Sequence, residues 1–320
     1  MVTGPRVRYS WRMRIRQLEH FLAVAEARNF RRAAERTNLS QQAISKSILQ
    51  LEHDLSLRLF ERGRQAVLLT EEGKQLLSYA RDILADVRRF DDAVADTMGR
   101  QFGHLRIGAT PNLLSEVIPD TLQTFHERFP QTRLTVERGD FPLLRDMMLQ
   151  GDLDLVLSSA PDQVPRDLVS TSTVARDCNV VVVRSGHPLA TSLNVSPEDL
   201  SHYPHLAFRN YPRGVSFLNT LFAGRAVPRP ALLAASTDFA TAWLQRSDFW
   251  WIASSMQVRR HIQSGTMKVL PMQLVDTGWD LLWSTRRNAR PTRHVSAYRE
   301  IVEAYLATAQ FAVYDNQQLS

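Results

Sequence analysis

The chain has 320 residues, a length that allows two or three domains, each with its own hydrophobic core. Its 44% apolar and 22% charged residues are typical of a soluble globular protein. The net charge is +6, and residues 1–66 hold 13 Lys/Arg against 6 Asp/Glu, whereas the other 254 hold 26 against 27. This segregated charge favours a polyanionic partner. A membrane surface is the competing partner, but no basic amphipathic helix with large apolar residues accompanies the charge.

The chain lacks features of secreted and membrane proteins. The single cysteine, Cys178, excludes an intramolecular disulfide and fits a reducing compartment. No apolar run approaches the length of a membrane span, and the first residues lack a signal-peptide core. We therefore expect a cytoplasmic protein with no membrane partner. Residues 1–12 are either an upstream start or a disordered basic arm, with a disordered extension preferred, and residues 311–320 are expected to be a flexible tail.

Residues 15–28 are predicted to form a first helix, which packs under a second one. Ala33 and Ala34 are small enough to let another helix approach closely. Asn38 suits a turn with left-handed backbone, and the side-chain oxygen of Ser40 suits the N-terminus of a new helix.

The helix after Ser40 has two distinct faces. Its apolar residues recur at spacings of four, three and four, which predicts an inward stripe of Ile44, Ile48, Leu51 and Leu55. Its other face offers groups suited to base edges and phosphates, namely Gln41, Gln42, Ser45, Lys46 and Gln50. This is the helix-turn-helix pattern, in which the second helix enters the major groove. On these residues alone, an ordinary helical hairpin fits equally well.

The segment LRLFERGRQAVLLT alternates in polarity around Gly63 and predicts a two-stranded wing. Arg62 and Arg64 of the wing are predicted to reach phosphates or the minor groove. Arg31 and Ser40 complete the predicted set of DNA contacts.

Thr70 is predicted to cap a helix of about 28 residues, or ~42 Å. Glu71 and Glu72 are favourable at its N-terminus. Apolar residues then recur at 4, 3, 4, 3 and 4, which predicts a dimerisation seam of Leu76, Ala80, Ile83, Val87, Phe90 and Val94. The alternative is a core helix packed against its own chain.

From residue 103 onward, short strands alternate with helices, which predicts a mainly parallel sheet covered on both faces. Strands are predicted at 104–110, 134–136, 153–157, 179–183, 205–208, 231–236, 250–253, 268–271 and 279–284. Helices are predicted at 111–129, 143–149, 196–200, 216–222, 238–244 and 294–309.

Residues 15–74 resemble the DNA-binding domain of the LysR-type transcriptional regulators. The usual run of that family is close to S-Q-P-A-[LI]-S-x-x-I-x-x-L-E-x-x-L-x-x-x-L-F-x-R, which the chain matches from Ser40 to Arg62. It departs at Gln42, where proline is common; glutamine keeps a helical backbone there and adds a reader of bases. The phrases RIGATPN, GDLDLVLSS, RSGHPLA and SGTMKVLP are also similar to the family.

This resemblance implies an N-terminal all-α winged helix-turn-helix domain, a linker helix that pairs two such domains, and a C-terminal α/β effector-binding domain. The last resembles a periplasmic binding protein of two subdomains. The expected boundaries are 13–70 for the winged domain, 71–99 for the linker helix and 103–310 for the effector domain, with subdomain I at 103–175 and 278–310 and subdomain II at 176–277.

Open α/β sheets bind ligands beyond the carboxyl ends of their strands. This predicts an effector site at a helix N-terminus, whose free N–H groups face an anion, and at two further strand ends. Its residues are Thr110, Pro111, Asn112, Leu113, Ser159, Phe208, Arg209 and Asn210, which the resemblance places in the family's cleft between the subdomains. We expect a carboxylate-bearing effector, with Arg209 as counter-charge; plain turn or capping chemistry is the alternative for each residue. The run RSD-x-x-W is similar to that of family members that regulate protocatechuate catabolism.

Enzyme signatures are absent from the sequence. It has no G-x-S-x-G elbow, P-loop, G-x-G-x-x-G or H-E-x-x-H, and its nine histidines are scattered. No cofactor or metal is expected. The predicted function is transcriptional regulation, with double-stranded DNA, a small-molecule effector and a second copy as partners. The resemblance adds a tetramer and, for an activator, RNA polymerase. A solute-binding module and an enzyme with a DNA-binding arm are the alternatives.

Overall fold

A computed structural model describes residues 14–62, 67–97, 103–159, 164–209, 212–223, 225–272, 278–287 and 289–308. It groups into an N-terminal unit that ends at Val94 and a C-terminal unit that contains most of the remaining chain. No helix in these ranges combines the length and the apolar character that crossing a membrane requires.

The N-terminal unit consists of helices around a small core, followed by a hairpin and a long helix. Its elements are α1 (Ile15–Ala27), α2 (Phe30–Thr37), α3 (Gln41–Leu55), β1 (Phe60–Arg62), β2 (Val67–Leu69) and α4 (Glu71–Thr97). Asn38 adopts the expected left-handed backbone, with φ at 54°. The Ser40 Oγ accepts the Ala43 N–H at 3.1 Å, so the predicted cap of α3 is confirmed.

The core of this unit uses the predicted inward residues. Ile44, Ile48 and Leu51 are buried, and they share one apolar cluster with Ala33 and Ala34. The small alanine side chains therefore let α2 and α3 lie close together, as predicted.

The wing is attached to α3 by hydrogen bonds. The carboxylate of Glu52 accepts the Leu59 N–H at 2.7 Å and the Phe60 N–H at 3.1 Å. Strands β1 and β2 pair antiparallel, which confirms the predicted hairpin. At the start of α4, the Thr70 hydroxyl donates to the Arg58 carbonyl and accepts the Gly73 N–H at 2.9 Å, the predicted cap.

Helix α4 has 27 residues, close to the predicted length, but the dimerisation seam needs correction. Ala80 is only 2% exposed and packs in the core of its own unit, so it has no surface left for a partner. Leu76 is half-buried against the same core, and Val87 and Val94 are half-buried too. The exposed apolar stripe consists of Tyr79, Ile83 and Phe90. Because the helix packs by one side on its own unit, the exposed stripe keeps Ile83 and Phe90 of the predicted seam, gains Tyr79 and loses Ala80.

The C-terminal unit is α/β throughout. Its strands are β3 (His104–Ala109), β4 (Arg133–Arg138), β5 (Leu155–Ser159), β6 (Val169–Arg184), β7 (His205–Phe208), β8 (Leu232–Ala234), β9 (Trp250–Ser254), β10 (Met267–Val269) and β11 (Gly278–Arg286). Its helices are α5 (Val117–Arg128), α6 (Phe141–Leu149), α7 (Pro197–Ser201), α8 (Pro212–Leu221), α9 (Thr237–Leu244), α10 (Ser255–Gln263) and α11 (Arg293–Thr308).

The strand order is β4-β3-β5-β11-β6-β9-β7-β8, with β10 paired to β6. The outer triplets β4-β3-β5 and β9-β7-β8 are parallel, whereas the central strands β11 and β6 run antiparallel to their neighbours. The sheet is therefore mixed rather than mainly parallel. The first half of β6 pairs with β11 and its second half pairs with β9, while β11 joins β6 to β5 of the other triplet.

Two elements were missed by the sequence prediction. The first half of β6 is largely exposed and polar, so it lacks the apolar run that identified its second half at 179–183. Helix α10 has few apolar residues and directly follows the buried strand β9. Both elements contribute to the candidate effector site.

Candidate functional site

The exposed face of α3 borders an open groove of about 1200 Å³. Gln41, Ser45 and Leu49 line it from α3, Arg31 lines it from the start of α2, and Arg58 lines it from the segment that leads into the wing. The groove therefore combines hydrogen-bonding side chains, cations, two glutamates and several apolar side chains within the N-terminal unit. Among the apolar residues that line it, Leu49 and Leu57 are the exposed ones.

The predicted DNA contacts occupy different surroundings. Arg31 is exposed and pairs with Glu35 one turn further along α2, at 3.2 Å. Gln42 and Lys46 are exposed on α3. The Gln50 amide donates to Asp54 at 2.7 Å, which lowers the pKa of that carboxyl and holds the amide along the helix. The side chain of Arg62 and all of Arg64 lie outside the described residues, so their predicted roles stay predictions.

Most residues that line the groove were not predicted as DNA contacts, and three of these, Arg28, Leu49 and Arg58, are exposed and suited to bind DNA. Arg28 and Arg58 are exposed and form no ion pair within the described part of the chain, whereas Arg31 has its glutamate. Leu49 is 60% exposed. A helical wheel of α3 places Leu49 on the outer face, and this was the available signal; the two arginines carry no local pattern that separates them from other surface arginines.

The predicted helix N-terminus at Thr110 is wrong. A single 3₁₀ turn spans Pro111–Leu113, and α5 begins only at Val117. The Thr110 N–H donates to the Leu157 carbonyl at 3.1 Å, and the Leu113 N–H donates to the Thr110 carbonyl at 3.0 Å. Since Pro111 has no N–H, this turn does not provide the expected row of free donors.

Side chains provide the hydrogen-bonding groups at this turn instead. The Thr110 hydroxyl donates to the Asn112 Oδ1 at 2.8 Å, which leaves the buried Asn112 Nδ2 without a partner among the described residues. Ala109 is paired with Leu157, so Thr110 and Ser158, the next residue in each strand, are neighbours. The Ser158 hydroxyl is also buried without a described partner. A buried unpaired polar group costs about 1–3 kcal/mol, so this pair is a candidate ligand contact.

The remaining predicted effector residues lie at the ends of β5 and β7. Ser159 is half-buried beside Ser158. Phe208 is packed edge-on against Trp251, with 5.6 Å between the ring centroids, so part of its ring belongs to the core. Arg209 is exposed and has no hydrogen bond or ion pair with a described residue. Asn210 lies outside the described residues.

Helix α10 contacts the Pro111–Leu113 turn, and its Met256 packs in the same apolar core as Leu113. The carboxylate of Asp177 on β6 holds the start of α10, accepting the Ser254 hydroxyl at 2.5 Å and the Ser255 hydroxyl at 2.8 Å. Burial raises the pKa of Asp177, and the hydrogen bonds oppose that effect. Strand β6 is thereby hydrogen-bonded to the start of α10, the helix that contacts the Pro111–Leu113 turn.

A buried charge cluster joins α10 to α5 and α11. Glu116 is 3% exposed and accepts the Arg259 Nε at 2.5 Å, with the Arg260 N–H at 3.3 Å. Arg260 pairs with Asp120, and the Tyr305 hydroxyl donates to Asp120 at 2.9 Å. Burial raises the pKa of Tyr305, as does its hydrogen bond to Asp120. These five residues come from three segments far apart in sequence, so no local pattern could predict the cluster.

Metal binding has no comparable support. Among the described residues, no group of three His, Cys, Asp or Glu is arranged to hold a metal ion.

Two family models match the chain. The model described as "LysR substrate binding domain" matches residues 99–307, and that described as "Bacterial regulatory helix-turn-helix protein, lysR family" matches residues 15–74. The first covers more than half of the chain. The chain belongs to the LysR family of transcriptional regulators.

Curated LysR-family relatives align over most of the chain. The regulator PcaQ of Agrobacterium fabrum is 27% identical over 295 residues, covering 91% of this chain and 94% of the relative. The uncharacterised regulator YdcI of Escherichia coli is 28% identical over 266 residues, covering 82% and 86%.

Solved structures of LysR-family proteins share the fold. Full-length OxyR C199D from Pseudomonas aeruginosa superposes with a TM-score of 0.66 at 20% identity, covering 94% of this chain and 97% of that one. CbnR, solved with its target DNA, gives a TM-score of 0.60 at 22% identity and covers 91% and 99%. The predicted fold class is thus confirmed. The chain is a DNA-binding transcriptional regulator of the LysR family with a C-terminal effector-binding domain, not an enzyme.

Proposed function

We propose that this LysR-family regulator acts in the cytoplasm, where it binds a roughly palindromic DNA site as a dimer and inserts the exposed face of α3 into the major groove. Gln41 and Gln42 suit the paired donor and acceptor of adenine, and Ser45 suits either kind of base edge. Lys46 and Arg31 suit phosphates, as do Arg62 and Arg64 of the wing. The observation that carries the proposal is the division of α3 into a buried apolar stripe and an exposed polar face that borders a groove with cations.

The dimer is proposed to form through α4. Phe90 is 68% exposed and Tyr79 is 66% exposed, and with Ile83 they form a stripe along one side of a 27-residue helix. Large apolar side chains in a row favour burial against a twin helix, because an exposed apolar patch of this kind marks an interaction surface. A tetramer built from two such dimers is the further expectation from the family resemblance.

The effector is proposed to be a small carboxylate-bearing molecule bound at the Thr110 turn. The unpaired Asn112 amide is a donor, and the neighbouring Ser158 hydroxyl can donate as well. Two donors suit the two oxygens of a carboxylate. Ser159, Phe208, Arg209 and Asn210 complete the proposed site. The RSD-x-x-W run, similar to regulators of protocatechuate catabolism, favours an aromatic acid.

Effector binding is proposed to act through α10. This helix contacts the Pro111–Leu113 turn, and it is held at its start by Asp177 and at its middle by the Glu116–Arg259 pair. A ligand at the turn therefore meets an anchored helix. A ligand shifts the regulator between two arrangements only by its differential affinity for them. An activated form would then engage RNA polymerase.

Calorimetric titration with a panel of aromatic and sugar carboxylic acids tests the site. We expect one acid class to bind the wild type, and Asn112→Ala to weaken it by about tenfold, since a hydrogen bond to a charged group is worth about 1.5–3 kcal/mol. Asn219→Ala, at an exposed asparagine of the same unit, is the matched control. Equal binding by wild type and Asn112→Ala excludes this turn as the site.

The DNA half of the proposal is tested separately by selection of binders from random duplexes. An enriched inverted repeat supports it. Recovery of unrelated sequences by a folded protein overturns sequence-specific binding.

A further inference from the structure

Leu49 is a large apolar residue on the otherwise largely polar exposed face of α3. It is 60% exposed, whereas Ile48 and Leu51 on the other side of α3 are buried in the core. Single exposed leucines are common on protein surfaces. Leu49 is distinguished by its position on the face of α3 that carries Gln42 and Ser45, whereas Leu57, the other exposed leucine that lines the groove, lies beyond the end of α3.

Helix geometry places Leu49 at the centre of the exposed face. Each residue of an α-helix turns about 100° around the axis. Leu49 is seven residues after Gln42, almost two full turns, so the two lie within about 20° of each other around the axis. It is four residues after Ser45, just over one turn, so these two lie about 40° apart. It lines the groove together with Gln41 and Ser45. Gln50, the next residue, is turned about 100° further around the axis, and its amide is engaged by Asp54.

The major groove presents one apolar group, the C5-methyl of thymine. An exposed leucine side chain between base-reading side chains fits that group, since the contact removes apolar surface of both partners from water. The glutamines beside it suit adenine, so the combination fits an A·T pair.

We propose that Leu49 is a specificity-determining residue that contacts the C5-methyl group of a thymine in each half of the DNA site. This inference rests on the proposed insertion of α3 into the major groove. It assigns to Leu49 a role that the polar residues of α3 cannot perform, and it predicts a dependence on one methyl group.

Removal of that methyl group tests the inference directly. The full-length protein is used to select a binding site from random duplexes, and each thymine of the selected site is then replaced by deoxyuridine in turn. For wild type, we expect one replacement per half-site to weaken binding by about fourfold, the factor that burial of one methyl group supplies. Leu49→Ala is expected to bind the thymine and deoxyuridine duplexes equally.

A second variant and a matched control complete the test. Leu49→Gln is expected to change the base selected at that position, because its amide reads adenine rather than a methyl group. Leu193→Ala, at a leucine of the other unit that is 91% exposed, is expected to keep the wild-type response to deoxyuridine. Equal responses of wild type and Leu49→Ala at every thymine, together with an unchanged selection by Leu49→Gln, overturn the inference.

The variant Gln41→Ala distinguishes a wrong role for Leu49 from a wrong insertion of α3 into the major groove. If Gln41→Ala changes the selected sequence while both Leu49 variants do not, only the role of Leu49 is wrong. If none of the three variants changes the selected sequence, the proposed insertion of α3 is wrong.

Discussion

The buried imidazole of His205 is expected to make the C-terminal unit sensitive to mild acid. His205 begins β7, is 2% exposed and stacks on Trp250, with 4.6 Å between the ring centroids. Neither ring nitrogen has a hydrogen-bond partner among the described residues. Burial lowers the pKa of His205 from 6.5 to about 4, because the charged ring would lose its hydration.

The sign of the effect follows from proton binding. Between pH 6.5 and 4 the unfolded chain binds a proton at this ring and the folded chain does not, so acid favours unfolding. The difference between a pKa of 6.5 and one of about 4 amounts to roughly 3 kcal/mol over the full range, at about 1.4 kcal/mol for each pKa unit. About 2 kcal/mol of this is lost by pH 5. Well above pH 6.5 the ring is neutral in both the folded and the unfolded chain, so protonation of His205 no longer lowers the free energy of unfolding.

His205→Phe keeps an aromatic ring against Trp250 and removes the titrating group. Urea unfolding at pH 7.5 and 5.0, followed by tryptophan fluorescence, measures the free energy of unfolding. Five of the six tryptophans lie at position 243 or beyond and report on this unit. We expect the variant to lose about 2 kcal/mol less than wild type between the two pH values.

The comparison isolates His205, and one further variant serves as the control. His104 and His187, whose pKa values are also lowered by burial, are present in both proteins, so their contributions cancel in the difference. His202→Gln, at an exposed histidine, is expected to follow the wild-type pH dependence. Parallel pH profiles for wild type and His205→Phe would refute a buried neutral imidazole.

Three other predictions concern the charge cluster, DNA reading and assembly. Glu116→Gln leaves the partly buried Arg259 without its carboxylate, so we expect urea unfolding to show a free energy of unfolding lower by about 3 kcal/mol. Glu300→Gln, which removes the carboxylate of an exposed pair, is the control and should lower it by under about 1 kcal/mol. Gln41→Ala should relax base preference, and equal losses of affinity on selected and random DNA would contradict base reading by Gln41. Lys46→Ala should weaken binding to all duplexes and reduce the slope of log affinity against log salt concentration by about one. Phe90→Asp should shift the chain toward monomer in sedimentation experiments, and an unchanged association state would exclude the exposed stripe of α4.

The sequence by itself determined the N-terminal unit, because its signals are local. The left-handed turn at Asn38 and the caps at Ser40 and Thr70 all depend on residues within a few positions of each other. The inward stripe of α3 follows from helix periodicity alone. These features agree with one another, and this consistency made the fold of the segment predictable.

Only the tertiary structure decided which helix faces and side chains remain exposed or unpaired and can therefore bind a partner, DNA or a ligand. Ala80 belongs to the predicted seam by spacing, but the way α4 packs on its own unit buries it. Helix periodicity alone places Leu49 on the outer face of α3, but only the structure shows the groove that it borders. The turn after β3 was expected to start a helix; packing made it a single 3₁₀ turn and left the Asn112 amide unpaired. Glu116 and Arg259 are 143 positions apart, and no local pattern encodes a contact that depends on how three helices come together.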